Sequence, residues 1–122
     1  FICPPHASQI TALGALDAKK ELEENVKVYK KNREILIDEL PKMGFKKFSP
    51  PDGAFYIYID VSEFTKDSLK FTRDILNKAG VAITPGLDFD QNRGNTTIRI
   101  SYARSTKDII EGVRRLKNFM KK

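Results

Sequence analysis

Apolar residues recur along this chain in two different rhythms. Leu22, Val26, Tyr29, Leu36, Leu40 and Met43 are spaced by fours, threes and one seven, which places them on one stripe of an α-helix. Arg33 falls on the same stripe. Its stem can lie along apolar surface with its head paired to a nearby acid, or it can form a structural or interface ion pair. Pro41 predicts an end or kink near Leu40, and Gly44 a stop. Upstream, Pro4-Pro5 demands an extended lead, Ser8 reads as an N-cap, and Gln9–Ala18 reads as a helix weakened at Gly14.

The second rhythm is alternation. In Ala54–Asp60, Phe55, Ile57 and Ile59 share one face and Tyr56 and Tyr58 the other. In Thr96–Ala103, Ile98, Ile100 and Tyr102 point one way, while Thr97, Arg99, Ser101 and Ala103 point the other. Shorter strands are expected at Phe45–Phe48 and Val81–Thr84, with a dense turn signal at Ser49–Gly53 and a polar loop from Leu87 to Asn95. Asp67 or Ser68 caps a helix whose apolar face is Phe71, Ile75, Leu76 and Ala79, closed by Gly80. Ser105–Asp108 resembles a capping box, opening a helix that turns Ile109, Ile110, Val113, Leu116 and Met120 inward. The expected fold is α/β of the α+β kind: a small, mostly antiparallel sheet with helices packed on one face, preceded by a long helix.

Composition narrows the function. With 122 residues, 40% hydrophobic and 31% charged, the chain fits one soluble globular domain. The net charge of +6 raises nucleic acid as a partner, but acids alternate with bases along Lys19–Asp38, as on a solvated helix face. No apolar run approaches the ~20 residues of a membrane helix. One cysteine, Cys3, and one histidine, His6, leave no internal disulfide, zinc set or nucleophile–histidine triad to build. Glycine-rich phosphate loops are absent, and Glu23-Glu24 lies on a polar helix face. The opening Phe-Ile-Cys-Pro-Pro has neither an initiator Met nor the pattern of a signal peptide, as expected of a segment of something larger.

One residue stands apart. Arg99 is a long cation in mid-strand, with small neighbours, Thr97 and Ser101, on its face. Its fork suits a carboxylate, with room for a ligand beside it. Spacing alone equally fits an exposed arginine on a one-sided sheet.

Pro51-Asp52-Gly53-Ala54-Phe55-Tyr56, Gly80-Val81-Ala82-Ile83-Thr84-Pro85-Gly86 and Ile98-Arg99-Ile100-Ser101-Tyr102-Ala103 occur in that order, with Gln9 and Asn32-Arg33-Glu34 ahead of them. Together they resemble the C-terminal part of the class I/II aminotransferases, pyridoxal-phosphate enzymes of the aspartate aminotransferase fold. The resemblance covers essentially the whole chain. It implies that Arg99 binds the substrate's α-carboxylate as a bidentate pair. Where many relatives read Pro-Gly-x-x-Phe-Gly, this chain reads Pro85-Gly86-Leu87-Asp88-Phe89-Asp90, so Asp90 replaces a glycine; aspartate tolerates unusual backbone angles, and the turn is expected to survive.

The family's Schiff-base lysine, the aspartate facing the pyridine nitrogen and the phosphate-binding residues belong to a large domain upstream and find no match here. Lys19 and Lys20 follow Asp17-Ala18 on a polar helix. The resemblance therefore implies a division into residues 1–21, leading in from that large domain, and 22–122, the small domain. Arg99 is then the substrate-binding residue of this chain, with no catalytic, cofactor-binding or metal-binding residue, and pyridoxal 5'-phosphate is held elsewhere. The intact enzyme is expected to be a cytoplasmic homodimer acting on amino acids and 2-oxo acids, with neither nucleic acid nor membrane as partner, and this chain alone is expected to be inactive. The alternatives are another reaction of the same enzyme class, a β-lyase or synthase, and a non-enzymatic basic α+β binding module.

Overall fold

The computed structural model describes residues 2–121. Two helices, α1 (His6–Asp17) and α2 (Lys19–Lys42), open the chain and break at Ala18. Strands β1 (Lys47–Phe48) and β2 (Tyr56–Asp60), helix α3 (Ser68–Ala79), strands β3 (Thr84–Pro85) and β4 (Thr97–Ser101), and helix α4 (Thr106–Met120) follow. The strands form one four-stranded sheet in the order β1-β2-β4-β3, antiparallel throughout.

Alternation fixes the two faces of this sheet. The β2–β4 register sets Ile57 opposite Ile100 and Ile59 opposite Ile98. Ile57, Ile59 and Ile98 are wholly buried, joined by Leu36, Leu40 and Met43 of the α2 region, Ile75 of α3, and Ile109, Val113 and Leu116 of α4. Phe45, Phe64, Phe71 and Phe119 continue this core as a chain of rings with centroids 5.1 to 6.4 Å apart. All three later helices thus cover one face, the expected architecture.

Local signals set most boundaries. Asp67 caps α3 through Lys70 N–H at 2.9 Å, and Ser105 caps α4 through Asp108 N–H at 3.2 Å. Gly80 closes α3 in the left-handed conformation. Several expectations change. Helix α1 begins at His6, directly after Pro5, with no side-chain cap, so Ser8 lies inside the helix; Pro5 already holds its φ at −55° and its carbonyl accepts Gln9 N–H. Pro41 does end α2 near Leu40: it sits one residue from the end at Lys42, where only a single backbone hydrogen bond is forfeited, and the chain turns at Gly44 with φ +96°. Strand pairing reaches only Thr84–Pro85 rather than Val81–Thr84, because these are the residues in register with Arg99 and Ile98.

Apolar periodicity also over-reaches. Leu22, Val26, Leu76 and Ile110 are exposed, not buried. Leu76 and Ile110 each follow a buried isoleucine, and the ~100° turn of a helix carries the next residue off the core face. Residues 19–28 of α2 are exposed throughout, and α1 buries none of its side chains, leaving Ile10, Leu13 and Leu16 exposed.

Charged surface ties add to the packing. Lys117 reaches from α4 to Glu39 of α2 at 3.0 Å, and Glu111 receives both Arg114 and Arg115 at 2.7 Å. The Arg114 hydrogen bond first, and Arg115 second, lower the Glu111 carboxyl from its ordinary 4.5 to about 2.

Four outcomes are expected. In urea denaturation, Leu40→Ala should cost about 2–5 kcal/mol as a core cavity, and Asp67→Ala or Ser105→Ala about 1 kcal/mol each as a lost cap; Leu13→Ala should stay within about 0.5 kcal/mol. A larger loss at Leu13 than at Leu40 would contradict the placement of the core. Because the Glu111 carboxyl is depressed on folding, its contribution is full above pH 4.5 and fades as pH falls toward about 2. Glu111→Gln should therefore flatten the acid limb of a stability–pH profile and leave the neutral limb sloped as before.

Candidate functional site

The sheet face away from the helices carries Tyr56, Tyr58, Thr97, Arg99 and Ser101. Ladder geometry places them: Tyr58 stands directly opposite Arg99, Tyr56 opposite Ser101, and Thr84 opposite Arg99 on its other side. The Tyr58 hydroxyl and Thr97 Oγ1 lie 2.7 Å apart in a hydrogen bond that leaves Arg99 out.

Arg99 is half-buried, and no acid among the described residues forms an ion pair with it. Its Nε is buried without a hydrogen-bond partner. Instead the guanidinium carbon lies 4.2 Å from the centroid of the Phe89 ring and 5.2 Å from that of Tyr56. A cation over aromatic faces is attracted by the ring quadrupole, and that attraction consumes no N–H donor. Arg99 is thus held against aromatic faces with donors to spare for a planar anion.

The loop that delivers Phe89 is tightly tied. Two 3-10 turns, Gly86–Asp88 and Gly94–Thr96, pack against each other. Both Phe89 and Asp90 N–H donate to the Gly86 carbonyl at 2.9 Å, and Gly94 N–H to that of Asp90 at 2.9 Å. Ser68, at the start of α3, donates to the Gly94 carbonyl at 2.6 Å. The two glycines are needed for close approach. A Cβ on Gly94 would sit 2.7 Å from the backbone of Leu87, and one on Gly86 would collide with Thr97. Asp90 keeps ordinary negative φ, so unusual backbone angles are not what lets it stand in this turn. Its Oδ1 accepts the N–H groups of Asn92 at 2.9 Å and Arg93 at 3.0 Å. Those hydrogen bonds, Arg93 foremost, hold its carboxyl below the usual carboxylate range.

Arg33 has no acid partner among the described residues; its Nη1 donates to the Pro51 carbonyl at 3.2 Å, so the expected pairing with a nearby acid of this chain is not found. Next to it, fully buried Asn32 donates to the carbonyls of Tyr102 at 3.0 Å and Arg104 at 2.7 Å. The Tyr102 hydroxyl in turn donates to the Ala54 carbonyl at 3.2 Å. Helix α2 is thereby fastened to the far end of β4 and to the turn before β2, the two strands that define the site. Phe55, half-exposed, meets Tyr56 edge-on at 5.7 Å and does not share the burial of Ile57 and Ile59.

The sequence model of the family described as aminotransferase class I and II matches residues 1–116. The chain belongs to this family. It is 46% identical over 121 residues to the valine–pyruvate aminotransferase of Mycobacterium tuberculosis, and 32% identical over 124 residues to an aspartate aminotransferase of Sulfurisphaera tokodaii. In both cases 98% of this chain is covered but 31% of the relative, so the chain spans about a third of the length of these aminotransferases. Among solved structures, an aminotransferase from Mycobacterium tuberculosis superposes with a TM-score of 0.90 at 46% identity, and a protein from Silicibacter pomeroyi with 0.93 at 59%. Each again covers 98% of this chain, which covers 32% of theirs.

Aminotransferases of this family use pyridoxal phosphate, and the residues described here do not fit that group. A Schiff-base lysine must be poised in a pocket to lose its proton. Every described lysine is exposed except Lys117, which is half-buried and paired with Glu39. No step through the cofactor is therefore assigned to this chain. Nor does any described helix have the length and apolarity to cross a membrane.

Of the two rings at Arg99, Tyr56 was within reach of pattern reasoning: it lies on the polar face of one strand, as Arg99 does on the next. Phe89, an isolated aromatic in a polar loop, carried no periodic signal. Gly94→Ala, which sets Cβ against backbone, should cost about 1–3 kcal/mol in stability through overpacking. It should also displace Phe89 from Arg99, visible as a changed Arg99 side-chain resonance by NMR. An unchanged resonance and unchanged stability would contradict the close approach.

Proposed function

We propose that this chain is the substrate-carboxylate-binding part of a pyridoxal-phosphate-dependent aminotransferase, which moves an amino group between an amino acid and a 2-oxo acid. One observation carries this reading: Arg99 is a half-buried cation, held over two rings, without an acid partner among the described residues. A desolvated charge is retained only when something compensates it. An α-carboxylate shared by amino acid and 2-oxo acid provides that charge, and a planar fork would fix its orientation. Residues 1–21 lead in from a larger domain and 22–122 form the small domain, in keeping with the uncovered apolar residues of α1. The lysine and the other groups that hold the cofactor lie outside this chain, and the chain alone is inactive. The same reading takes the intact enzyme as a cytoplasmic homodimer. Valine and pyruvate, named for the relative that is 46% identical, are the first substrates to try.

Arg99→Ala in the complete protein tests the reading. Its kcat/KM for the preferred amino acid should fall by a factor worth about 2–5 kcal/mol, as for one partner removed from a desolvated charge pair. Arg99→Lys should recover only part of the loss, because an ammonium is not a fork. Near-normal kcat/KM in Arg99→Ala would sink the assignment.

A further inference from the structure

We propose that Phe89 is a positioning residue for the carboxylate site: its ring holds the Arg99 guanidinium where a protein acid would otherwise do so, and leaves the donors free for substrate. The proposal rests on the reading of Arg99 as the carboxylate-binding residue.

Three observations support it. First, Phe89 is no core residue. It is 52% exposed, lies outside the buried cluster, and pairs with no other aromatic ring among the described residues. Its close partner is Arg99, at 4.2 Å, nearer than Tyr56 at 5.2 Å. Second, the backbone that carries the ring is fixed on both sides. Phe89 N–H is bound to Gly86, while Asp90 ties its own N–H to Gly86, its carbonyl to Gly94, and its carboxylate to Asn92 and Arg93. The Asp90 carboxylate also accepts Arg93 Nε at 3.4 Å, so that acid is spent within the loop and does not neutralise Arg99. Third, the chemistry discriminates between kinds of partner. A carboxylate beside Arg99 would occupy the same donors that a substrate carboxylate needs. A π face attracts the cation without taking a hydrogen bond. Phe89 thus restrains a long, rotamer-rich side chain before the ligand arrives, which lowers the cost of ordering it on binding.

The test measures the dissociation constant of pyruvate, by isothermal titration, for the complete protein carrying its cofactor. Phe89→Leu keeps apolar bulk but removes the π face, and the half-exposed position makes loss of folding unexpected. It should weaken pyruvate about fivefold, the scale of a partly exposed cation–π contact. Phe89→Tyr should stay within about twofold, since the ring face is kept. In an Arg99→Ala background, Phe89→Leu should add nothing, because the residue through which it acts is gone. Equal weakening in both backgrounds would overturn the proposal, as would an unchanged constant in Phe89→Leu beside a weakened one in Arg99→Ala. An unchanged constant in Arg99→Ala itself would overturn the carboxylate reading and this proposal with it.

Discussion

The antiparallel pairing of β2 with β4 is the constraint on which the rest of this structure depends. Its register locks Ile57 against Ile100 and Ile59 against Ile98, and so commits one face of both strands to the core. The period-2 alternation of a strand then leaves Arg99 no choice: it must stand on the opposite face. A slip of β4 by one residue would turn the guanidinium toward the core and expose Ile98 and Ile100. The burial that stabilises the fold is therefore the same force that aims the arginine. Helix α2 reinforces the arrangement through Asn32, whose side-chain amide holds the two carbonyls just past the end of β4.

Around that scaffold the polar face is built to hold a cation without neutralising it. Tyr58 and Thr97 satisfy each other, Asp90 satisfies its own loop, and Arg33 turns to a carbonyl. Rings rather than acids border Arg99. An arginine so placed is stable enough to persist yet still lacks a counter-ion, which is the electrostatic state a carboxylate-binding site requires before its ligand arrives. The chain belongs to the class I and II aminotransferases and spans about a third of the length of the relatives it matches.

Much of this was legible in the sequence, for reasons that differ by element. Strands β2 and β4 were readable because alternation in a half-buried sheet is a local pattern, and α3 and α4 because Asp67, Ser105 and Gly80 are local signals with local hydrogen bonds. The placement of Arg99 on the polar face followed from the same parity. What escaped depended on contacts far apart in sequence. Leu22 and Val26 share a helical stripe with Leu36 and Leu40, yet only the second pair meets the sheet. The meeting of Phe89 with Arg99 depends on two glycine-permitted turns and a serine on another helix, none of which announces itself as a period. Asp90 looked like a tolerated exception to a glycine, and is instead the residue that fastens the turn.

The most direct measurement is a crystal structure of the complete protein with its cofactor and a bound 2-oxo acid. The carboxylate should lie on the Arg99 guanidinium in two parallel hydrogen bonds of about 2.7–2.9 Å, with the Phe89 ring still against the cation. A carboxylate held by another residue, with Arg99 paired to a protein acid, would contradict the account.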